Sequence, residues 1–115
     1  MIDTMKQLAG EIFDEAVSIR RQLHQIPELA FQEHQTAALI KQKLDSWQIP
    51  YQEGIAGTGI MAYLENGKGS CVAMRADMDA LPVQEEVKSA FQSKHAGQMH
   101  ACGHDAHMAI VLGTA

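Results

Sequence analysis

The stretch Gly59-Ile60-Met61-Ala62-Tyr63-Leu64-Glu65-Asn66-Gly67-Lys68-Gly69-Ser70-Cys71-Val72-Ala73-Met74 marks the change from helical to extended texture along the chain. Residues 60–64 and 71–74 are short runs of strand-compatible side chains. The Asn66-Gly67 pair between them is a strong hairpin signal, because a tight two-residue turn needs positive φ at both central positions. The expectation is two antiparallel strands joined over residues 65–69. The second strand then leads into Arg75-Ala76-Asp77-Met78-Asp79-Ala80-Leu81-Pro82, a loop that carries two acids.

Upstream, Met5, Leu8, Ile12, Phe13, Ala16, Ile19 and Leu23 recur at helical spacing, with Asp3 or Thr4 available as a cap. This predicts a long amphipathic helix that stops before Pro27, since proline disfavours helical geometry in the residue before it. A connector follows over residues 24–31. A second helix is expected over residues 33–47, with Ala37, Ile40, Leu44 and Trp47 on one stripe and Pro50 closing it. Downstream, polar residues dominate 84–98, and a last helical pattern begins near Asp105 with Ala106, Ala109, Ile110 and Leu112 apolar. The order helix, helix, strand, strand, helix suits an α/β layer. Two strands make a marginal sheet alone, so the sequence reads as the first portion of a larger α/β domain.

The chain has 115 residues, the size of one small domain, with no repeat, low-complexity stretch or linker. Nine Lys plus Arg against fourteen Asp plus Glu give a net charge of -5. That balance, without a basic cluster, argues against a nucleic-acid surface, which needs dense positive charge to neutralise phosphates. No signal peptide is legible at the start, and no run approaches the ~20 apolar residues that span a bilayer. A cytoplasmic protein without membrane or nucleic-acid partners is the expectation. Two cysteines, Cys71 and Cys102, are too few for a disulfide framework.

The chemistry concentrates in Met99-His100-Ala101-Cys102-Gly103-His104-Asp105-Ala106-His107. A thiol and an imidazole two residues apart, just before a helix, suit zinc, and imidazole with carboxylates also suits manganese or nickel. Gly103 is read as the turn that lets both side chains point inward, and Asp105 as a group that orients a ligating imidazole. The helix N-terminus behind Cys102 favours its thiolate. The alternative is a small core cysteine beside surface histidines, and the ligand set is incomplete, with one Cys-x-His pair and His100 or His107 as extras. Asp77 and Asp79, two apart at the end of a strand, leave on the same side; a solvated loop is the plain alternative. In Arg20-Arg21-Gln22-Leu23-His24-Gln25-Ile26-Pro27-Glu28-Leu29, His24 and Glu28 are read as local caps.

Taken in order, Arg-x-x-Leu-His-x-x-Pro-Glu-Leu, then Glu33 and Thr36, then residues 75–82, then residues 99–107, resemble the N-terminal part of the aminoacylase-like dinuclear metallohydrolases. That group includes hippurate hydrolases, N-acyl-amino-acid amidohydrolases, N-acetyldiaminopimelate deacetylases and plant hydrolases of auxin conjugates. The resemblance runs from about Ile19 to Ala115. It implies a zinc-peptidase-like α/β catalytic domain, of which residues 1–115 are the N-terminal, metal-binding portion, with the lid and dimerisation domain absent. It further implies two divalent metal ions (Zn, Mn, Ni or Co) and hydrolysis of the amide bond of an N-acyl amino acid by metal-activated water. By position, Cys102 and His104 match metal ligands, and Asp77 and Asp79 match the catalytic acidic motif. Related peptidase branches carry His-x-Asp where this chain has Asp77-Met78-Asp79, so the ligand role of that first position does not transfer.

The family's general-base glutamate, further ligands and the lid through which the full-length form would dimerise lie beyond these motifs. The chain by itself is therefore expected to be inactive. Two other classes stand beside the amidohydrolase reading: a standalone, non-catalytic metal-binding remnant of the family, and a thiol sensor built on Cys102.

Overall fold

The computed structural model describes residues 1–115 and contains three helices and one hairpin. Helix α1 spans Ile2–His24, α2 spans His34–Ser46, strands β1 and β2 span Tyr51–Ile55 and Gly59–Ala62, and α3 spans His104–Thr114. α1 packs on α3, and one apolar core joins Ile19 and Leu23 of α1, Ile40 and Leu44 of α2, Ile49, and Met108, Ala109 and Leu112 of α3. The stripe predicted for α1 is thus buried only at its C-terminal end. Met5, Leu8 and Phe13 stay exposed, and Asp3 lies within the first turn instead of capping it.

α1 ends where Pro27 requires, with Gln25 as C-cap. The start of α2 is capped from a distance. The Glu28 carboxylate accepts hydrogen bonds from the amides of Gln35 (3.0 Å) and Thr36 (2.7 Å) and from the Thr36 hydroxyl (2.8 Å). This satisfies amide protons that have no partner within the helix, and a carboxylate suits the positive end of the helix dipole. At the other end Gln48 takes a left-handed φ of 57°, its amide reaches Asp45 O at 3.0 Å, and the Ile49 amide reaches Leu44 O at 2.9 Å. That pair of backward bonds is a Schellman stop, and it folds Ile49 onto Leu44 in the core.

The strand expectation is corrected in its pairing. Residues 60–62 do belong to a hairpin, with Tyr63 and Leu64 outside the strand, but β2 pairs backward with β1 in antiparallel register, Tyr51 opposite Ala62 and Ile55 opposite Gly59. The turn lies at residues 56–58, where Ala56 and Gly57 take positive φ and the Gly57 amide bonds Gly54 O at 3.1 Å. Gly54, at φ 76°, accommodates a bulge that adds one residue to β1. Residues 71–74 form no strand, and Val72 is 87% exposed. The Asn66-Gly67 signal fails because a strand holds its register by burying one face, and this run meets no core to bury against.

What positions the motifs is a set of tethers between loops. Leu81 and Met99 exchange two backbone hydrogen bonds, at 2.9 and 3.0 Å, which closes the intervening segment at its neck. Next to that neck, the Ala80 amide bonds Glu28 O at 2.7 Å, tying the acidic loop to the connector between α1 and α2. His95 Nδ1 donates to Pro27 O at 2.7 Å, and the Lys94 amide bonds Gln25 O at 2.9 Å. The α/β expectation holds as a partial α/β domain.

Candidate functional site

The neck between Leu81 and Met99 brings the acidic loop alongside the start of α3. His104, the first residue of α3, directs Nδ1 at the Asp79 carbonyl oxygen, 2.8 Å away, with Asp79 Oδ1 at 3.1 Å. The carbonyl only accepts, so Nδ1 carries the proton and Nε2 is left with its lone pair. That Nε2 faces Asp77 Oδ2 at 3.9 Å, while the other oxygen of Asp77 is held by Arg75. Three of the four residues singled out by the sequence, Asp77, Asp79 and His104, are therefore adjacent. The fourth, Cys102, is an exposed free thiol, as is Cys71.

No group of three or more His, Cys, Asp or Glu side chains is gathered closely enough to hold a metal ion. The donor chemistry nonetheless fits half of one. An imidazole whose far nitrogen is fixed on a carbonyl is how ligating histidines are usually oriented, and a thiol stands two residues before it. Gly103 does not act as the predicted turn. Its φ of -169° is extended backbone open to any residue, and a Cβ there would meet His107 only at ordinary contact distance. The His107 ring lies 6.0 Å from that of His104.

The expectation that Asp105 orients the neighbouring imidazole is not met at His104, whose Nδ1 is held by the Asp79 carbonyl. Asp105, 2% exposed, instead accepts from His24 Nδ1 at 2.8 Å and from Arg20 Nε at 2.9 Å, and its Oδ1 accepts the Ala106 amide. His24 is consequently no helix cap. Its Nε2 lies 2.9 Å from Glu85 Oε1, so the buried ring stands between two buried carboxylates. Glu85 is also bonded by the Ser93 amide. Burial alone would push the Glu85 carboxyl up, but the Ser93 amide and the His24 imidazole outweigh it and hold Glu85 below its ordinary value. Phe91 closes the cluster, edge-on to His24 and beneath the guanidinium groups of Arg20 and Arg21 at 5.3 and 4.9 Å.

Glu85, Ser93 and Phe91 escaped the sequence reading, since nothing in a polar stretch marks one glutamate for burial. A partial signal did exist. Arg20 and His24 are four residues apart beside Ile19 and Leu23, so two basic groups share the face that packs inward. His100 is the other unabsorbed feature. It is 4% exposed, and neither ring nitrogen has a hydrogen-bond partner. Burial pushes its imidazole below the usual value, with His24 and His104 adding to the effect against the pull of Asp105 and Asp79.

Residues 73–115 match peptidase family M20/M25/M40. An IAA-amino acid hydrolase ILR1-like 5 of Arabidopsis thaliana is 48% identical over 105 residues, covering 91% of this chain and 24% of that protein. An N-acetyldiaminopimelate deacetylase of Enterococcus faecalis is 52% identical over 103 residues, covering 87% of this chain and 27% of that protein. The crystal structure of the Bacillus subtilis YXEP protein, described as a dinuclear metal-binding peptidase of the M20 family, superposes with a TM-score of 0.84. It is 41% identical and covers 91% of this chain and 30% of that one. The chain thus spans 24–30% of the length of these relatives. No helix is long and apolar enough to cross a membrane.

Proposed function

We propose that the chain belongs to peptidase family M20/M25/M40, whose model matches residues 73–115, and that it is the first portion of the metal-binding catalytic domain of an N-acyl-amino-acid amidohydrolase. The observation that carries the reading is His104, its Nδ1 proton bound to the Asp79 carbonyl and its Nε2 lone pair turned toward Asp77. Cys102 and His104 would hold metal, with the remaining donors, the lid and the dimer contacts supplied by sequence outside these 115 residues. Two divalent cations, when bound, would activate water and polarise the amide carbonyl. The residues of this chain prepare for that. Asp79 fixes the tautomer of His104, Asp77 lends negative charge beside Nε2, and Arg75 holds the Asp77 carboxylate in place. The relatives' names support N-acyl amino acids as substrates, with acetyl and indole-acetyl groups the first acyl groups to try.

The test is hydrolysis by the full-length protein. It would be freed of metal, reloaded with Zn, Mn, Ni or Co, and offered N-acetyl, N-benzoyl and indole-3-acetyl amino acids while free amino acid is measured. Release that depends on added metal and is lost in Cys102→Ser and His104→Ala supports the reading. Absence of hydrolysis with every metal, or activity that survives both substitutions, overturns it.

A further inference from the structure

The buried cluster around His24 has no part in the reading above, although it reaches the first turn of α3, where His104 stands. Its members come from α1 (Arg20 and His24), from the segment closed by the Leu81–Met99 neck (Glu85), and from the second residue of α3 (Asp105). Each ring nitrogen of His24 faces a carboxyl oxygen, at 2.8 and 2.9 Å, and with both carboxylates ionised both contacts are hydrogen bonds when both nitrogens carry protons. The imidazolium and the Arg20 guanidinium then balance the two carboxylates, which is the condition for burying such a group of charges. Without His24, Asp105 would keep Arg20 and the Ala106 amide and Glu85 the Ser93 amide, but the bridge between the two carboxylates would be lost.

Asp105 directly follows His104, and its Oδ1 binds the Ala106 amide, so the carboxylate is locked to the first turn of α3. Its Oδ2 is locked to α1 through His24 and Arg20. The first turn of α3 is thereby pinned from one side by α1, while the acidic loop that receives His104 Nδ1 is pinned from the other by Glu28 O. We propose that His24 is a positioning residue for His104: bridging Asp105 and Glu85, it sets the start of α3 so that the His104 ring meets the Asp79 carbonyl and presents Nε2 outward. The consequence for metal uptake rests on the function proposed above; the placement of the ring does not.

The experiment uses the full-length protein with 15N-labelled histidine rings, in the wild type and in His24→Gln, Arg20→Gln and Glu33→Gln. Metal-free samples report the His104 tautomer by NMR, and titration with Co2+ reports affinity. His24→Gln is expected to abolish the preference for a protonated Nδ1 on His104 and to weaken Co2+ binding at least tenfold, the usual scale for losing a group that orients a ligand. Arg20→Gln, at a side chain 35% exposed and so safe for folding, is expected to shift both readouts the same way by a smaller amount. Glu33→Gln alters a buried carboxylate that accepts the Thr58 hydroxyl at 2.6 Å and touches neither α3 nor the acidic loop, and is expected to lower the melting temperature while leaving both readouts unchanged.

The inference is overturned if His104 keeps its tautomer in folded His24→Gln. Should His24→Gln not fold, an unchanged tautomer and a Co2+ affinity within twofold of wild type in Arg20→Gln overturn it equally. A wild-type protein that takes up no Co2+ would overturn the proposed function, and the tautomer alone would then decide the role of His24.

Discussion

The main-chain oxygen of Asp79, and not only its carboxylate, receives His104: the carbonyl lies 2.8 Å from Nδ1, and Oδ1 stands at 3.1 Å. Asp79→Asn is therefore expected to leave His104 protonated at Nδ1, since the nearer acceptor belongs to the backbone. Ring-nitrogen NMR checks this; a switch to Nε2 protonation in the variant would show that the carboxylate controls the ring.

Metal uptake should depend on the pair before α3. Cys102→Ser and His104→Ala in the full-length protein are each expected to reduce metal affinity at least tenfold, because each removes a proposed direct ligand. Metal content after equilibrium dialysis at a fixed free concentration reads the effect. Full retention of metal in Cys102→Ser would remove that thiol from the site.

His100 gives a pH dependence with a definite sign. In the unfolded chain its imidazole titrates near 6.5, whereas in the folded chain burial holds it lower. Between those values the unfolded state binds a proton that the folded state does not, so stability is present above 6.5 and is lost as the pH falls below it. The slope from this group is at most about 1.4 kcal/mol per pH unit. Denaturant unfolding at pH 7.5, 6.5 and 5.5 should show the decline, and His100→Phe should flatten it. Glu85 contributes only at lower pH, its carboxyl being held below the ordinary 4.5, so its stabilisation is lost as the pH falls from there.

Replacing Glu28 by Gln should expose how α2 is begun. The carboxylate serves two amides and a hydroxyl at once, and an amide oxygen is a weaker acceptor without the favourable charge. The expected cost is about 1–2 kcal/mol, the usual scale for losing a helix cap, seen as a lower midpoint in thermal unfolding. An unchanged midpoint would mean that the core packing of α2 suffices alone.

Gly59 is required by space. A Cβ built there falls 2.6 Å from the Ile55 carbonyl oxygen, a main-chain atom of the paired strand that cannot rotate away. Gly59→Ala should destabilise the protein by about 1–3 kcal/mol, the range for forced overpacking. Hydrogen exchange of the β1 and β2 amides would report whether the hairpin itself opens.

The helices were legible because their signals are local. Pro27 bounds α1, the stripe of Ala37, Ile40 and Leu44 marks α2, and the apolar positions after Asp105 mark α3. The hairpin was misread because Asn66-Gly67 reports only that a turn is favourable, whereas pairing depends on which runs find a foothold on the core; Tyr51 of β1 and Ile60 of β2 pack against it, and residues 71–74 stay exposed. In the site, the proximity of Asp77, Asp79 and His104 was anticipated from the family resemblance, while types and spacing alone left Asp77 and Asp79 open to a solvated loop. The partners of His24 were not, since they lie 61 and 81 residues away in sequence and are joined by burial, which no local pattern announces.

The two hydrogen bonds between Leu81 and Met99 have an evolutionary corollary. They short-circuit the chain, so that Asp79 and His104, 25 positions apart in sequence, meet across a short neck and not around the loop. Doubling the length of a flexible closed loop costs only about 0.6 kcal/mol in closure entropy. The outer part of this loop, where Glu86, Val87 and Lys88 are exposed, can therefore accept insertions between relatives while the register of the two motifs stays fixed. Drift in loop length is thereby uncoupled from drift in the chemistry.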